Sequence, residues 1–160
     1  MITSFLDYIP IFKMDIPLMV KECIETDEAK KALIGYNQEQ LQQGIDAKER
    51  VIETIASQEQ NSGYPYSRYT VAIRGSEGLQ VDNVDLRVTG EFYNSMEVKV
   101  TEKETEILAD FNKGANDIRD NFDKSYDFLG VIQENLKGFG EWVLLDLLSV
   151  KVHEKLSIKL

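Results

Sequence analysis

The sequence predicts an α+β fold, with helices at the two ends of the chain and antiparallel strands between them. Three patterns predict it. An apolar stripe of helical spacing starts at Asp15-Ile16-Pro17, and a second, broader one runs from Val131 to the end. Between them the apolar residues switch to the two-residue period of strands.

Asp15 is placed as an N-cap with Pro17 in the first turn. Leu18, Met19, Ile24, Ala29, Ala32 and Leu33 then form the helical stripe as far as Gly35, and NQEQLQQG continues it by propensity to Gly44. Cys23, mid-helix, is expected to act as a small core hydrophobe. VIETIA (51–56) is rich in β-branched residues but has no clear turn before it, so its type stays open. SQEQNSGYPYS is a polar loop broken by Gly63 and Pro65.

RYTVAIRG alternates Tyr69, Val71 and Ile73 with Arg68, Thr70 and Arg74, which predicts a strand, and GSEGLQVDN is a loop. Val84, Leu86 and Val88 alternate again, as do Met96, Val98 and Val100, and TEILAD follows across the polar turn TEKE. MEVKV and TEILAD therefore form a hairpin candidate with an exposed loop. NKGANDIRDNFDKSYD is expected to be helical, with Ile118 and Phe122 as one apolar ridge. FLG at 128–130 breaks the pattern. Leu136, Phe139, Val143, Leu144, Leu147, Leu148 and Val150 then give the last helix a broad apolar face. Gly138 and Gly140 inside it each cost roughly 1 kcal/mol relative to Ala, which predicts a kink or a late start near Glu141.

A chain of 160 residues suits a single domain, 1–160, and a hydrophobic fraction of 42% is that of a folded core. The net charge of −10, from 28 acidic and 18 basic residues, gives no basic footprint for wrapping nucleic acid. One cysteine cannot form an intramolecular disulfide, so a reducing compartment is expected. The opening MITSFLDYIPIFKMDIP lacks a basic leader region and carries Asp7 and Asp15, unlike a signal peptide. No apolar run reaches the ~18 residues of a membrane span.

Chemistry-bearing motifs are sparse. His153, the only histidine, sits in VKVHEK with no Ser or Cys nucleophile motif nearby and is expected as a partly exposed helix residue. One His and one Cys are too few for a zinc site. From Asp110, a calcium loop would need glycine at its sixth position and glutamate at its twelfth, but Gly114 is fifth and Asn121 twelfth. GSEG has no following Lys-Ser/Thr for phosphate. No catalytic residue, metal or cofactor is expected, and the chain is expected not to be an enzyme. Tyr64, Tyr66, Arg68 and Tyr69 combine aromatic rings with Arg and form a candidate interface.

EQLQQGID (39–46), YPYSRYTVAIR (64–74), LRVTGEFYNSMEV (86–98) and FLGVIQENL (128–136) resemble, in that order, segments of tail-completion and head–tail joining proteins of tailed phages. The wording is similar to that in crAss-like gut phages. The resemblance implies a small curved antiparallel sheet packed against an N-terminal helix and a long C-terminal helix. It also implies a six- or twelve-fold ring of copies in the virion neck or tail, after assembly in the host cytoplasm. Portal and other neck or tail ring proteins would be its partners, and DNA would pass through without specific binding. Val88 stands where the family usually has aspartate, and the long connection around 48–63 suggests an extended arm or hairpin.

The box Thr89-Gly90-Glu91-Phe92-Tyr93-Asn94-Ser95 then reads as a helical turn between strands. Thr89 is expected to cap it, Gly90 to allow close backbone approach, and Phe92 and Met96 to turn into the core against the C-terminal helix. Thr89, Gly90, Phe92, Tyr93 and Ser95 are thus expected to be architectural. The competing expectation is a non-enzymatic intracellular binding or adaptor protein with an acidic surface.

Overall fold

The computed structural model of the chain describes residues 14–87, 89–113 and 116–157. The leader reading of the first residues and the departure at Val88 lie outside that range. The fold is α+β, as the sequence predicts, with a two-stranded antiparallel sheet set among helices.

Helix α1 (Ile16–Ile24) starts where expected, with the Asp15 carboxylate accepting from Leu18 N and proline in the first turn. It stops early because Thr26 caps a new helix, α2 (Asp27–Gln42), by accepting from Ala29 N. Gly35 lies inside α2, so the predicted continuation toward Gly44 holds while the break moves to Glu25. Cys23 is buried, and burial pushes its thiol up.

Residues 46–50 make a tight turn that pairs Ile45 with Val51. Thr54 then caps a short helix, α3 (Ile55–Gln60), and its N–H donates to Pro65 O. The segment expected as an extended arm is thus folded back on the body of the protein.

RYTVAIRG is a helix, α4 (Arg68–Ser76), not a strand. Ser67 caps it by accepting from Thr70 N, and Gly78, at φ +70°, closes it with Leu79 N donating to Arg74 O. Its buried member is Arg74, whereas Tyr69 and Ile73, two of the residues that suggested a strand, are exposed. Residues 84–87 are irregular as well: Leu86 has φ +52°, and side chains rather than a neighbouring strand satisfy the backbone there.

The box forms the expected single turn, α5 (Glu91–Asn94). Gly90, at φ +84°, is its N-cap, because few residues other than glycine take that conformation. Thr89 stands one residue further out and accepts from Glu91 N at 3.4 Å. A Cβ on Gly90 would meet nothing closer than 3.9 Å, so backbone dihedral and not close approach is the reason for glycine.

Strands β1 (Glu97–Val100) and β2 (Thr105–Leu108) form the predicted hairpin, with Val98 opposite Ile107. The stretch expected as a helix after Phe111 instead forms a ribbon of β3 (Asn112–Lys113) with β4 (Asn116–Asp117), then one 3₁₀ turn, Ile118–Asn121. Asp110 and Asp117 turn their carboxylates onto the N–H groups of Asn112 and Arg119, which competes with helix formation. Ile118 and Phe122 still share the core.

The C-terminal helix starts at Gln133, without a late start at Glu141. It comprises α6 (Gln133–Phe139), a π-helical turn (Gly140–Leu144) and α7 (Leu145–Ser157). The i→i+5 step of the π turn keeps Phe139 and Leu144 on one packed face.

Two hydrophobic clusters result. In the first, Leu41, Ile52, Tyr66, Val84, Phe92, Tyr93, Met96, Phe122 and Phe128 are buried together. In the second, Ala29, Leu33, Val98 and Phe139 are covered by Ile107 and by Val143, Leu144 and Leu147 of the C-terminal helix. Phe92 and Met96 are buried as expected, but in the first cluster. Their neighbours are Phe111, at 5.0 Å from Phe92 between ring centroids, and Tyr93, at 5.7 Å, not the C-terminal helix.

Phe92→Ala should cost about 3–5 kcal/mol in urea unfolding, through lost transfer energy and the cavity left behind. A loss below about 1 kcal/mol would mean that the ring contributes little to the core.

Candidate functional site

The most concentrated polar chemistry lies where α4 meets the irregular stretch before the box. Asp85 is buried, and both its carboxylate oxygens accept from Arg74 Nη2 at 2.9 Å. Oδ1 also accepts from Arg87 N at 3.0 Å and from the Tyr66 hydroxyl at 3.2 Å. The same hydroxyl accepts from Asp85 N at 3.1 Å, while the Tyr93 hydroxyl donates to Asp85 O. Arg74 is completed by Gln80 O at 2.8 Å and Arg87 O at 3.3 Å, and its guanidinium lies 4.7 Å from the centre of the Tyr66 ring.

The arrangement is fully connected, as a buried ion pair must be to offset its desolvation. Burial, reinforced by the Asp85 charge, pushes the Tyr66 phenol up to about 12, and the same two causes raise Tyr93. Both phenols therefore stay protonated donors at neutral pH.

Tyr66 and Arg74 of this network line one side of a cleft of about 790 Å³. Buried Val84, Phe92, Phe122 and Tyr66 line its floor, with half-buried Phe111 and Ile118 beside them. Its exposed lining carries four carboxylates: Glu59, Glu91, Asp110 and Asp120.

A second carboxylate organises the turn after α2. Asp46 is fully buried and accepts from Lys48 N, Arg50 N, Arg50 Nε and Asp127 N. Burial acts to raise its pKa, but the Arg50 guanidinium and the three backbone donors outweigh it and hold the carboxyl below the usual range.

Of the residues singled out in the sequence, Phe92 and Tyr93 are buried, and Tyr93 joins the Asp85 network. Ser95 fastens the box to the end of the hairpin: its hydroxyl donates to Phe92 O at 2.7 Å and accepts from Asp110 N at 2.9 Å. Thr89 and Gly90 lie on the cleft wall. The four candidate interface residues separate. Tyr64, Arg68 and Tyr69 are exposed, whereas Tyr66 is buried because its ring and hydroxyl are both used internally. His153 is exposed on α7 and contacts Ser149 O through Nδ1. Among the described residues no group of three or more His, Cys, Asp or Glu is placed to hold a metal ion.

The sequence does not single out this pair: Arg74 reads only as a polar position of a strand alternation and as the end of segment 64–74, and Asp85 belongs to no motif. The available signal was Arg74 falling seven residues after the capping Ser67, on the same helical face. Compared with protein-family models, curated proteins and solved structures, the chain matches none of them.

Arg74→Met should destabilise the protein by about 3–5 kcal/mol, because it leaves Asp85 buried and unpaired. The double variant Arg74→Met with Asp85→Leu should recover most of that loss, since the stranded charge is gone; denaturant melts of the three proteins decide it. Asp46 sets a pH dependence of known sign. Its lowered folded pKa gives stability that is complete above the ordinary carboxylate value near 4 and disappears as pH falls through the depressed value. Urea midpoints measured from pH 6 to pH 2 should fall less steeply in Asp46→Asn than in the parent protein.

Proposed function

We propose that this protein is a structural subunit of a tailed-phage virion, one copy of a ring in the neck or tail, and that its work is assembly rather than catalysis. The proposal rests on the resemblance of four ordered segments and on one structural observation, the outward face of the C-terminal helix. Trp142, the only tryptophan, is 74% exposed, and Leu145 and Val150 are 58% and 56% exposed. The inner face of the same helix is occupied by Phe139, Leu144 and Leu147. Helix α1 packs against α7 and adds exposed Ile16 and Leu18.

Rigid aromatic and aliphatic side chains on a helix are suited to fill a partner's pocket, and exposed apolar groups of this density mark association surfaces. A ring needs two different surfaces that meet head to tail. Helix α4 supplies a second exposed pair, Tyr69 and Ile73, on an element packed over the other cluster. The charge of −10, repeated around such a ring, would leave a surface that does not grip DNA. Among the described residues no helix is long and apolar enough to cross a membrane. The proposed place of the protein is the virion neck or tail, with the portal or an adjoining ring as partner.

Native mass spectrometry and negative-stain microscopy of the full chain test this reading. Closed rings of six or twelve copies are expected, and a strictly monomeric chain up to its solubility limit, alone and co-expressed with a tailed-phage portal protein, would overturn it. Trp142→Ala should weaken the ring about 30-fold or more, as truncation of a central interface anchor does. The same change should leave the unfolding free energy of the subunit within about 0.5 kcal/mol, because the side chain lies outside the core.

A further inference from the structure

The cleft beside the Asp85 network has features that neither folding nor ring closure requires. At about 790 Å³ it falls within the 300–1,000 Å³ typical of ligand pockets. Its floor of Val84, Phe92 and Phe122 is apolar, although four carboxylates surround it. Among the described lining residues the only cation is Arg74, and its charge is taken up by Asp85. The rim is therefore negative, and Arg119, whose guanidinium lies over the Phe111 ring beside Asp120, is paired with Asp117. Glu59 and Asp120 form no ion pair among the described residues, whereas Glu91 accepts from the Thr89 hydroxyl and Asp110 from Asn112.

The aromatic rings of the cleft already attract cations within the chain. Arg74 lies over Tyr66, and the Arg119 guanidinium lies 4.4 Å from the centre of the Phe111 ring. Both rings line the cleft. The ring faces and the carboxylates thus favour the same sign of charge.

We propose that this cleft is a docking site for a partner protein's short basic segment, one that inserts an aromatic or aliphatic side chain onto Phe92, Phe111 and Phe122 and sets flanking Lys or Arg against Glu59 and Asp120. Charge complementarity selects this occupant. An acidic or uncharged segment would bury the rim carboxylates without partners, and nucleic acid would be repelled by them. A volume of this size holds a few side chains rather than a folded surface. The proposal does not depend on ring formation, since neither Trp142 nor the exposed Tyr69 and Ile73 of α4 line the cleft.

The probes are three fluorescein-labelled hexapeptides: one with a central Phe flanked by Lys and Arg, one with the same Phe flanked by Glu, and one basic peptide with Ala for Phe. Anisotropy titrations of the full chain at low and high salt should show binding of the basic aromatic peptide, weakened by salt and at least about tenfold tighter than either control. Backbone amide shifts should centre on residues 89–95, 110–112 and 118–122. Glu59→Lys with Asp120→Lys, both on the exposed rim, should lower the affinity at least about tenfold while leaving the melting curve in place. Equal binding of the three peptides, no binding at all, or shifts centred away from the cleft would each overturn the proposal. Phenethylamine binding as tightly as the peptide would assign the cleft to small organic cations and overturn the peptide reading.

Discussion

The fold depends on two buried amides of α2. Asn37 Nδ2 donates to Phe128 O at 3.1 Å and Gly130 O at 2.8 Å, and Gln40 Nε2 donates to Gly130 O at 2.9 Å. Gln40 Oε1 in turn accepts from Ile132 N at 3.0 Å. Three residues apart on one helical face, these side chains hold an irregular stretch that makes no strand pairing of its own. That stretch leads straight into the C-terminal helix, so its position sets where the helix lies. Each amide is fully buried, and losing one would orphan backbone groups that no solvent reaches. Asn37 Oδ1, alone of the buried side-chain polar atoms described, has no partner in the chain. The protein tolerates that cost because the amide's other end restrains two carbonyls.

Helix α2 also joins the two clusters. Leu41 belongs to the first, Ala29 and Leu33 to the second, and Ile34 touches both. The second cluster is conventional, with a hairpin face of Val98, Val100 and Ile107 against two helical layers. The first is built around charge. Asp85 takes its hydrogen bonds from Arg74, Tyr66 and Arg87, and its carbonyl is held by Tyr93. Backbone satisfied by side chains has no need of a neighbouring strand, and residues 84–87 do not extend the sheet. The opening between this stretch, α3 and the β3–β4 ribbon is the cleft, so the cleft follows from the buried ion pair. Such a pair is weak as a source of stability but strict in geometry, and that strictness gives the cleft a fixed wall.

The sequence was most legible where local chemistry decides structure. Asp15 before Pro17, the hairpin at 97–108 and the turn at Glu91–Asn94 were each readable from caps, alternation or spacing. It misled where a pattern had two explanations. Tyr69, Val71 and Ile73 alternate as a strand would, yet the face that matters is Ser67, Thr70, Val71 and Arg74, with a helical period. Ser67 at one end and Gly78 at the other carried the helix signal, and the apolar alternation concealed it. The Asp- and Asn-rich stretch failed differently: side chains that solvate a helix surface also cap turns, and here they cap turns. The candidate site was half visible. Phe92, Tyr93 and Ser95 came from the box, but Arg74 and Asp85 are 11 positions apart and linked only through the tertiary fold. No local pattern marks a charge that will be buried beside its partner.

The face around Trp142 and the cleft are attached to different clusters, and this separation has a consequence for how substitutions at each should act. Trp142 and Leu145 stand on a helix whose inner face belongs to the hairpin cluster. The carboxylates of the cleft stand over the aromatic cluster around Phe92 and Phe122. Perturbations that share no side-chain contact add independently, so substitutions at Trp142 and on the cleft rim should act separately. Helix α2, with Asn37 and Gln40, is one element that reaches both clusters. One link between the two surfaces is the loop those amides hold, and that loop is fixed by four hydrogen bonds to buried side chains. Held in this way, the loop favours one fixed shape over a switch between two.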